Sequence, residues 1–331
     1  MRAVRLVEAR RLELVDIAAP DPAPGEVVVR VDGCGICGSD LTSYKAGLFA
    51  GTVPGHELAG TIDAPGGGVG GWSAGDTVVV DPKTPCGVCA DCRSGAAHRC
   101  ATALTAGIGF GRDGGFAELV AVPAQLLHRV PAGLNLDDAC LVEPLSVAIH
   151  GVQRAQVTAG DTVVVIGLGS VGLLTVAALG ADGVSSIVAV DPVADRRRLA
   201  LDLGAGNVLA DVREVRGAIL PAPVVMECSG DPRVLHAAAD LVAPGGRMVM
   251  LGVPFGEATV IPLMWVTREI TITGSIASGS ADFTAAIELL SAQPGVARMV
   301  TRRASLPEVP DAFEALISPT AGGKTVVDPR R

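Results

Sequence analysis

One short stretch of the chain, CGVCADCRSGAAHRC, contains four cysteines. They are Cys86, Cys89, Cys92 and Cys100, in the pattern C-x2-C-x2-C-x7-C. Because these spacings are short, one loop can surround a single ion with four thiolates, the closed tetrahedral arrangement of structural zinc. No coordination position stays open, so the pattern predicts a metal that braces the loop and does no chemistry. Two alternatives remain: an iron–sulfur cluster uses the same ligands, and His98 lies within the loop as a competing ligand.

A reactive metal needs an open coordination position, and its candidate ligands lie elsewhere in the sequence. They are Cys37 in GCGICGSD, His56 and Glu57 in GTVPGHE, and Glu143 in LVEPLSVAIH. One thiolate, one imidazole and one or two carboxylates can hold zinc and leave room for a water or an alcohol. The alternative is that the His–Glu pair is an ordinary surface feature with no metal.

A third motif is a glycine-rich turn that follows the apolar run VVVI and opens an apolar helix. Its residues are Gly167, Leu168, Gly169, Ser170, Val171 and Gly172, which match G-x-G-x-x-G. Between a strand and a helix this pattern predicts a dinucleotide site, because the glycines allow a tight turn and let a pyrophosphate approach the helix N-terminus. The alternative is a glycine turn that binds no ligand.

Asp191, at the end of the next predicted strand, indicates which dinucleotide binds. Its carboxylate can accept hydrogen bonds from both hydroxyls of the adenosine ribose and would repel a 2′-phosphate, which favours NAD over NADP. Arg196 is placed either to lie along the ribose or to pair with Asp191. The three consecutive arginines that begin at Arg196 keep NADP open as the less favoured cofactor.

Composition excludes several other classes of function. The chain has 331 residues, a net charge of -9 and no basic cluster, which argues against a nucleic-acid or anionic-membrane partner. Its N-terminus lacks the apolar segment of a signal peptide, and no apolar run is long enough to span a bilayer. We therefore expect a soluble, cytoplasmic protein, whose eight cysteines serve as thiolates or metal ligands rather than in disulfides.

The elements that must position these residues change character along the chain. Up to about residue 145 it consists of short β-like runs separated by Gly and Pro, such as VVVRVDG, LAGTIDA, DTVVVDP and FAELVAVPA. Strand and helix patterns then alternate, which predicts a parallel sheet with helices on both faces. The strand in GGKTVVDP near the end is expected to rejoin the first domain. The predicted fold class is α/β, with a mostly β domain followed by a doubly wound parallel sheet.

The motifs GICGSD, GHE, the four-cysteine loop, EPLSVAIHG and GLGSVG occur in the order found in zinc-dependent medium-chain alcohol dehydrogenases. The chain resembles that family over nearly its whole length, and EPLSVAIHG is most similar to the sorbitol, threonine and glucose dehydrogenase branch. The resemblance implies a GroES-like catalytic domain over residues 1–147, a Rossmann NAD-binding domain over 148–276, and a return to the catalytic domain over 277–331.

The resemblance also implies roles for individual residues. Cys37 and His56 would bind a catalytic zinc, with Glu57 and Glu143 as further ligands or as carboxylates that hold its water. The four loop cysteines would bind a structural zinc, which gives two zinc ions per chain. Asp40 would support His56, and Cys34 matches a cysteine that is not a ligand. The resemblance also assigns roles near the substrate: Ser39 would contact the substrate oxygen, and Thr42 stands where many members have a histidine that relays the proton.

The implied activity is transfer of a hydride between a secondary alcohol and NAD, with a polyol, sugar, cyclitol or amino alcohol as substrate. Thr42, Ser43 and Tyr44 follow the metal loop and are candidates to face that substrate. A homodimer or homotetramer is expected, formed through the strand EITITGS. The rival hypotheses are a zinc-free quinone or enone reductase of the same fold and a non-enzymatic protein whose zinc loop binds partners or senses redox state.

Overall fold

Runs of β-branched and apolar residues, interrupted by glycine and proline, form the strands of this chain. A computed structural model describes residues 1–219, 221–254, 256–318 and 322–331. The strands are β1 (Arg2–Glu8), β2 (Arg11–Asp16), β3 (Glu26–Gly35), β4 (Glu57–Pro65), β5 (Thr77–Val80), β6 (Leu119–Pro123), β7 (Leu127–Arg129), β8 (Thr162–Ile166), β9 (Ser186–Val190), β10 (Asn207–Leu209), β11 (Ala222–Glu227), β12 (Val242–Met250), β13 (Thr271–Gly274), β14 (Val300–Ala304) and β15 (Lys324–Val327).

Helices connect these strands, and most of them lie in the second half of the chain. They are α1 (Gly38–Ala46), α2 (Ala90–Arg93), α3 (Thr102–Thr105), α4 (Val142–Ala155), α5 (Ser170–Ala181), α6 (Ala194–Asp202), α7 (Val215–Ala218), α8 (Leu235–Asp240), α9 (Pro262–Arg268), α10 (Ser280–Ala292) and α11 (Val309–Ile317). Single 3-10 turns occur at Ala97–Arg99, Ala124–Leu126, Ala139–Leu141, Val212–Glu214, Pro294–Met299 and Leu306–Glu308.

The chain divides into two compact units, residues 1–143 with 279–331, and residues 144–278. The sequence placed the corresponding boundaries after residues 147 and 276. The first unit holds a sheet in the order β14-β15-β3-β4-β5-β7, with β6 also paired to β3 and a separate β1–β2 hairpin. The late strand β15 runs antiparallel to β3, with Val326 opposite Gly35. This pairing brings the end of the chain beside the residues that precede Cys37.

The second unit contains a six-stranded sheet in the order β10-β9-β8-β11-β12-β13, and the pairings between its described strands are parallel. Its central strand β8, TVVVI, is buried at four of its five positions, as expected for a strand covered on both faces. The helix that follows it, α5, is buried over most of its length. The predicted fold class, a mostly β domain plus a doubly wound parallel sheet, is confirmed.

Within the described parts of the chain, no helix has the length and apolar character needed to cross a bilayer.

Candidate active site

The turn before β4 fixes the position of His56. Gly55 has φ +97°, a conformation that favours glycine, and a Cβ at this position would lie 2.7 Å from the Phe116 ring. It would also lie 2.8 Å from Sγ of Cys34, which is a fully buried thiol beside the turn. Only glycine therefore fits here, and His56 follows with 4% of its surface exposed.

Asp40 connects two of the predicted metal ligands. Cys37 is the N-cap residue of α1, and its backbone N–H donates to Oδ2 of Asp40 at 2.8 Å. The other carboxylate oxygen of Asp40 lies 3.2 Å from Nδ1 of His56. A carboxylate on Nδ1 favours the tautomer whose Nε2 lone pair is free for a metal. One buried side chain thus positions both the loop that carries the thiolate and the imidazole.

Among the described residues, donor atoms of Cys37, His56 and Glu57 all lie within 4.8 Å of one another. Burial lowers the pKa of His56, but the negative charges of Asp40 and Cys37 raise it by more, so that it stands well above its ordinary value. The electrostatic environment therefore favours a positive charge at this place. A thiolate, an imidazole and a carboxylate oxygen fit zinc in both number and type.

Glu57 has a second partner that the motifs did not indicate. Nζ of Lys324, the first residue of β15, lies 2.6 Å from Oε1 of Glu57 and also contacts Oε2. Both side chains are buried, with 0% and 1% exposure. Gly35 makes room for the pair, because a Cβ there would lie 2.0 Å from Oε2 of Glu57. The charge of Glu57 is therefore compensated from within the protein.

Glu143 lies in the first turn of α4, and it is not part of the 4.8 Å donor set found among the described residues. Burial raises the pKa of its carboxyl to about 7, while the charge of His56 lowers it and that of Glu57 raises it. Glu143 therefore belongs to the same electrostatic environment. A group with this pKa readily loses its proton when a cation binds nearby.

Two hydroxyl groups on α1 lie near the cluster. Oγ of Ser39, an exposed residue, is 3.5 Å from Nε2 of His56. The hydroxyl of Thr42 donates to the carbonyl oxygen of Gly38 at 3.2 Å. Ser39 is thus an exposed hydroxyl beside the His56 ring, and Thr42 lies one helical turn further on.

The four-cysteine loop brings its sulfurs close together. Sγ of Cys92 is 3.5 Å from Sγ of Cys89 and 4.0 Å from Sγ of Cys86, and the backbone N–H of Cys86 donates to Sγ of Cys100 at 3.3 Å. Tetrahedral zinc with Zn–S bonds of about 2.3 Å sets its sulfurs about 3.8 Å apart. In an iron–sulfur cluster the four thiolates are shared between two or four irons, so sulfurs bound to different irons lie further apart. The loop geometry therefore fits a single ion.

The thiols of this loop differ in acidity. Backbone N–H donation lowers the pKa of Cys100 to about 6 and also lowers that of Cys86. Burial and a neighbouring thiol raise the pKa of Cys92 to about 12. The four sulfurs form a complete donor set among the described residues, and His98 is not a member of it.

The glycine turn after β8 is tight on one side and open on the other. Gly167 has φ +86°, and a Cβ on Gly172 would lie 1.8 Å from the carbonyl oxygen of Gly167. A Cβ on Gly169 would meet nothing within 4 Å, so this face of the turn is open. Gly169 is also the N-cap residue of α5, whose first residues are Ser170 and Val171. An open turn at a helix N-terminus suits a phosphate group.

Asp191 also accepts hydrogen bonds from the protein backbone, a role that its position in the sequence did not indicate. Its Oδ2 accepts the backbone N–H of Leu168 at 2.8 Å, and its Oδ1 accepts that of Val193 at 2.8 Å. Nη1 of Arg196 lies 3.3 Å from Oδ2, so this arginine pairs with Asp191. The carboxylate, 2% exposed, therefore holds the glycine turn in place.

Comparisons with known proteins agree with this geometry. The family described as Alcohol dehydrogenase GroES-like domain matches residues 23–132, and the family described as Zinc-binding dehydrogenase matches residues 170–292. D-altritol 5-dehydrogenase of Agrobacterium fabrum is 32% identical over 320 residues, which cover 93% of this chain and 94% of that protein. The chain belongs to the zinc-dependent medium-chain alcohol dehydrogenases.

Two solved dehydrogenase structures match nearly the whole chain. One, classed as a zinc-binding dehydrogenase of Sinorhizobium meliloti 1021, contains NADP; it has a TM-score of 0.91 and 31% identity, and the match covers 99% of both chains. Another, an alcohol dehydrogenase of Escherichia coli CFT073, contains NADH and has a TM-score of 0.91, 28% identity and 99% coverage of both chains. The predicted family and enzyme class are confirmed. This member of the polyol branch interconverts an alcohol and a ketone with a nicotinamide dinucleotide.

The contacts of three aromatic residues of this dehydrogenase were not predicted from the sequence. Phe110 stacks on the His56 ring with centroids 4.6 Å apart, and Phe49 contacts Phe110 edge-on. Apart from the glycine-rich segment around Phe110, no motif indicates this contact. Tyr44 was a candidate to face the substrate, and that prediction was wrong. Its ring packs on Phe313, and its hydroxyl oxygen lies 2.5 Å from Oε1 of Glu314 and 2.9 Å from the carbonyl oxygen of Arg10, the two acceptors for its one proton.

The cysteine loop of the dehydrogenase gives a prediction about stability. A Cys100→Ser variant is expected to lose one zinc ion per chain and to become sensitive to protease between residues 86 and 100, because the loop has little core of its own. Zinc content and limited proteolysis measure this. A Cys228→Ser variant is the matched control, since Cys228 lies outside the loop. Unchanged zinc content in Cys100→Ser would contradict the assignment.

Proposed function

We propose that this dehydrogenase oxidises a secondary alcohol of a polyol, sugar, cyclitol or amino alcohol, uses NAD rather than NADP, and binds two zinc ions per chain. The observation that supports the proposal most strongly is the convergence of Cys37, His56 and Glu57 within 4.8 Å. A zinc-free reductase of the same fold has no use for such a set. Its presence in a chain that also carries the glycine turn favours metal-assisted hydride transfer.

Bound zinc would act as a Lewis acid on the substrate hydroxyl, and bound NAD would accept the hydride. Cys37 and His56 would hold the metal, while Asp40 keeps His56 in the tautomer that coordinates. Ser39, whose Oγ is 3.5 Å from Nε2 of His56, would accept the hydroxyl proton. For Thr42 to pass this proton on to solvent through water, its hydroxyl would have to leave the carbonyl oxygen of Gly38, to which it now donates.

The two carboxylates have different proposed roles. Glu57 is paired with Lys324, so it would approach the metal as a charge-compensated ligand or hold a water on it. The raised pKa of Glu143 suits a group that alternates between holding a proton and facing a cation. Metal content separates the hypotheses: two zinc ions per chain agree with the proposal, one indicates a structural metal only, and none indicates the zinc-free reductase.

The preference for NAD is supported by the arginines beside Asp191. Arg196 pairs with Asp191, Arg197 donates to the carbonyl oxygen of Asp191 at 2.6 Å, and Arg198 donates to Asp195 at 2.7 Å. These arginines are thus engaged by the protein, and a 2′-phosphate would meet the Asp191 carboxylate.

An Asp191→Asn variant is expected to lower the NAD-to-NADP ratio of kcat/KM by about tenfold, since it removes one negative charge facing the phosphate. Steady-state kinetics with both cofactors measures this. Asp202→Asn, a substitution at the exposed end of α6, is the control. A wild-type enzyme that prefers NADP, or a ratio unchanged in Asp191→Asn, would contradict the assignment.

The substrate is tested by a screen of NAD reduction over sugars, inositols, polyols and amino alcohols, repeated with NADP. Activity on at least one such secondary alcohol is expected, with loss after zinc removal by a chelator. A protein that carries two zinc ions yet reduces only quinones or enones would refute the proposed substrate class.

We infer that the protein forms a homodimer or homotetramer through β13. Among the described strands, β13 pairs only with β12, so its other edge is open. The preceding helix exposes 65% of Leu263 and 74% of Val266. An open edge beside exposed apolar side chains is typical of an interface.

None of the eight cysteines, all of which are described, is in a disulfide, which supports a reducing cytoplasmic location.

A further inference from the structure

The strand order of the second unit creates a crevice at the carboxyl ends of its two central strands, β8 and β11. From β8 the chain continues to β9 and β10 on one side, whereas β11, β12 and β13 lie on the other side. The loops after β8 and β11 therefore leave in opposite directions, and this switch point is where open α/β sheets bind nucleotides. The turn from Gly167 to Gly172 is one wall of the crevice. The other wall is the loop Cys228–Gly230, which begins beside the end of β8, where Glu227 pairs with Ile166.

A single buried carboxylate holds this second wall. Glu227 is the last residue of β11 and is 2% exposed. Its Oε1 accepts the backbone N–H of Ser229 at 2.7 Å, the backbone N–H of Gly230 at 3.2 Å, and the hydroxyl of Ser229. Three donors on one oxygen of a buried group define the loop conformation strongly, because the loss of this acceptor would leave the donors without partners.

The held loop is in direct contact with the glycine turn. A Cβ on Gly167 would lie 2.5 Å from both N and Cα of Ser229, so the two backbones touch. The carbonyl oxygen of Glu227 also accepts the N–H groups of Leu251 at 2.8 Å and Gly252 at 3.0 Å, which fixes the end of β12. A shift of Glu227 would therefore move both walls of the crevice.

We propose that Glu227 is a positioning residue for dinucleotide binding, whose carboxylate holds the Cys228–Gly230 loop in the conformation that completes the crevice. It acts through the loop and not by contact with the reacting atoms. The inference rests on the proposed use of a nicotinamide dinucleotide by this chain.

A purely structural role for Glu227 would change stability but not the affinity of the folded protein. The test is therefore a fluorescence titration of NADH on folded wild-type and variant proteins, with the melting temperature and zinc content measured alongside. Glu227→Asp withdraws the acceptor by one methylene and is expected to raise the Kd for NADH about tenfold. Glu227→Gln keeps one acceptor oxygen, so its Kd for NADH is expected to lie between those of wild type and Glu227→Asp. At saturating NAD, kcat should stay within about twofold while KM for NAD rises.

Asp231→Asn is the matched control. Asp231 is a partly exposed carboxylate in the same segment and pairs with Arg233, so its loss is expected to leave the Kd unchanged. A folded Glu227→Asp protein whose Kd is within about twofold of wild type would overturn the inference.

If the Glu227 variants do not fold, Ser229→Ala takes their place. It removes one of the donors to Glu227 and is expected to raise the Kd about threefold, and an unchanged Kd would overturn the inference. A wild-type protein that binds neither NADH nor NADPH would overturn the proposed function, and this inference with it. Wild-type binding with equal binding by the variants overturns the inference alone.

Discussion

A His56→Ala variant is expected to bind one zinc ion per chain instead of two and to lose about a thousandfold or more in kcat/KM, because Lewis-acid assistance contributes several kcal/mol to the transition state. The fold should survive, since the structural zinc lies in a different loop. The measurements are zinc content, the far-ultraviolet dichroism spectrum, and oxidation of the best substrate from the screen.

His236→Ala is the matched control for this prediction. His236 lies on α8 in the second unit, is partly exposed and faces Asp240 at 3.9 Å. Its replacement should leave two zinc ions and full activity. A folded His56→Ala protein with two zinc ions and wild-type turnover would refute the metal site assigned to Cys37, His56 and Glu57.

A Lys324→Met variant is expected to reduce the free energy of unfolding of the first unit by about 3–5 kcal/mol, because it leaves the carboxylate of Glu57 buried without its counter-charge. Urea denaturation of the metal-free protein measures this loss. With zinc bound, the positive metal charge near Glu57 should make the loss smaller. Lys45→Met, on the exposed side of α1, is the control and should change stability by less than about 0.5 kcal/mol.

The double variant Lys324→Met with Glu57→Gln separates the ion pair from the packing of the side chains. Removing both charges is expected to restore most of the lost stability, since a buried ion pair costs desolvation that its mutual attraction only partly repays. If Lys324→Met alone were as stable as wild type, Glu57 would have another counter-charge, and the role assigned to Lys324 would be wrong.

Local motifs are the part of this site that sequence can reveal. Each of two motifs, the four-cysteine loop and the glycine turn, lies within one continuous segment of the chain. The structure brings the residues of each motif close together. Cys37, His56 and Glu57 come from two separate segments, and their grouping was expected from the family resemblance. Spacing alone could not distinguish it from a surface pair.

Contacts between distant segments could not be predicted from one sequence. Lys324 reaches Glu57 across 267 positions, and only the pairing of β15 with β3 brings them together. Glu227 carries no motif, because its role depends on the strand order at the switch point. Tyr44 shows the opposite error: position near the metal loop suggested a substrate contact, whereas its place on α1 turns it toward Phe313.

The late position of Lys324 has a consequence for biosynthesis. On the ribosome, the segments with Cys37, His56 and Glu57 emerge early, followed by the whole second unit, and β15 comes afterwards. Until that strand is translated, a nascent chain holds Glu57 without its cation, so early metal capture would have to supply the missing charge. Chains that stop before β15 should therefore depend on a bound metal for this counter-charge, and without metal they should be cleared by proteolysis.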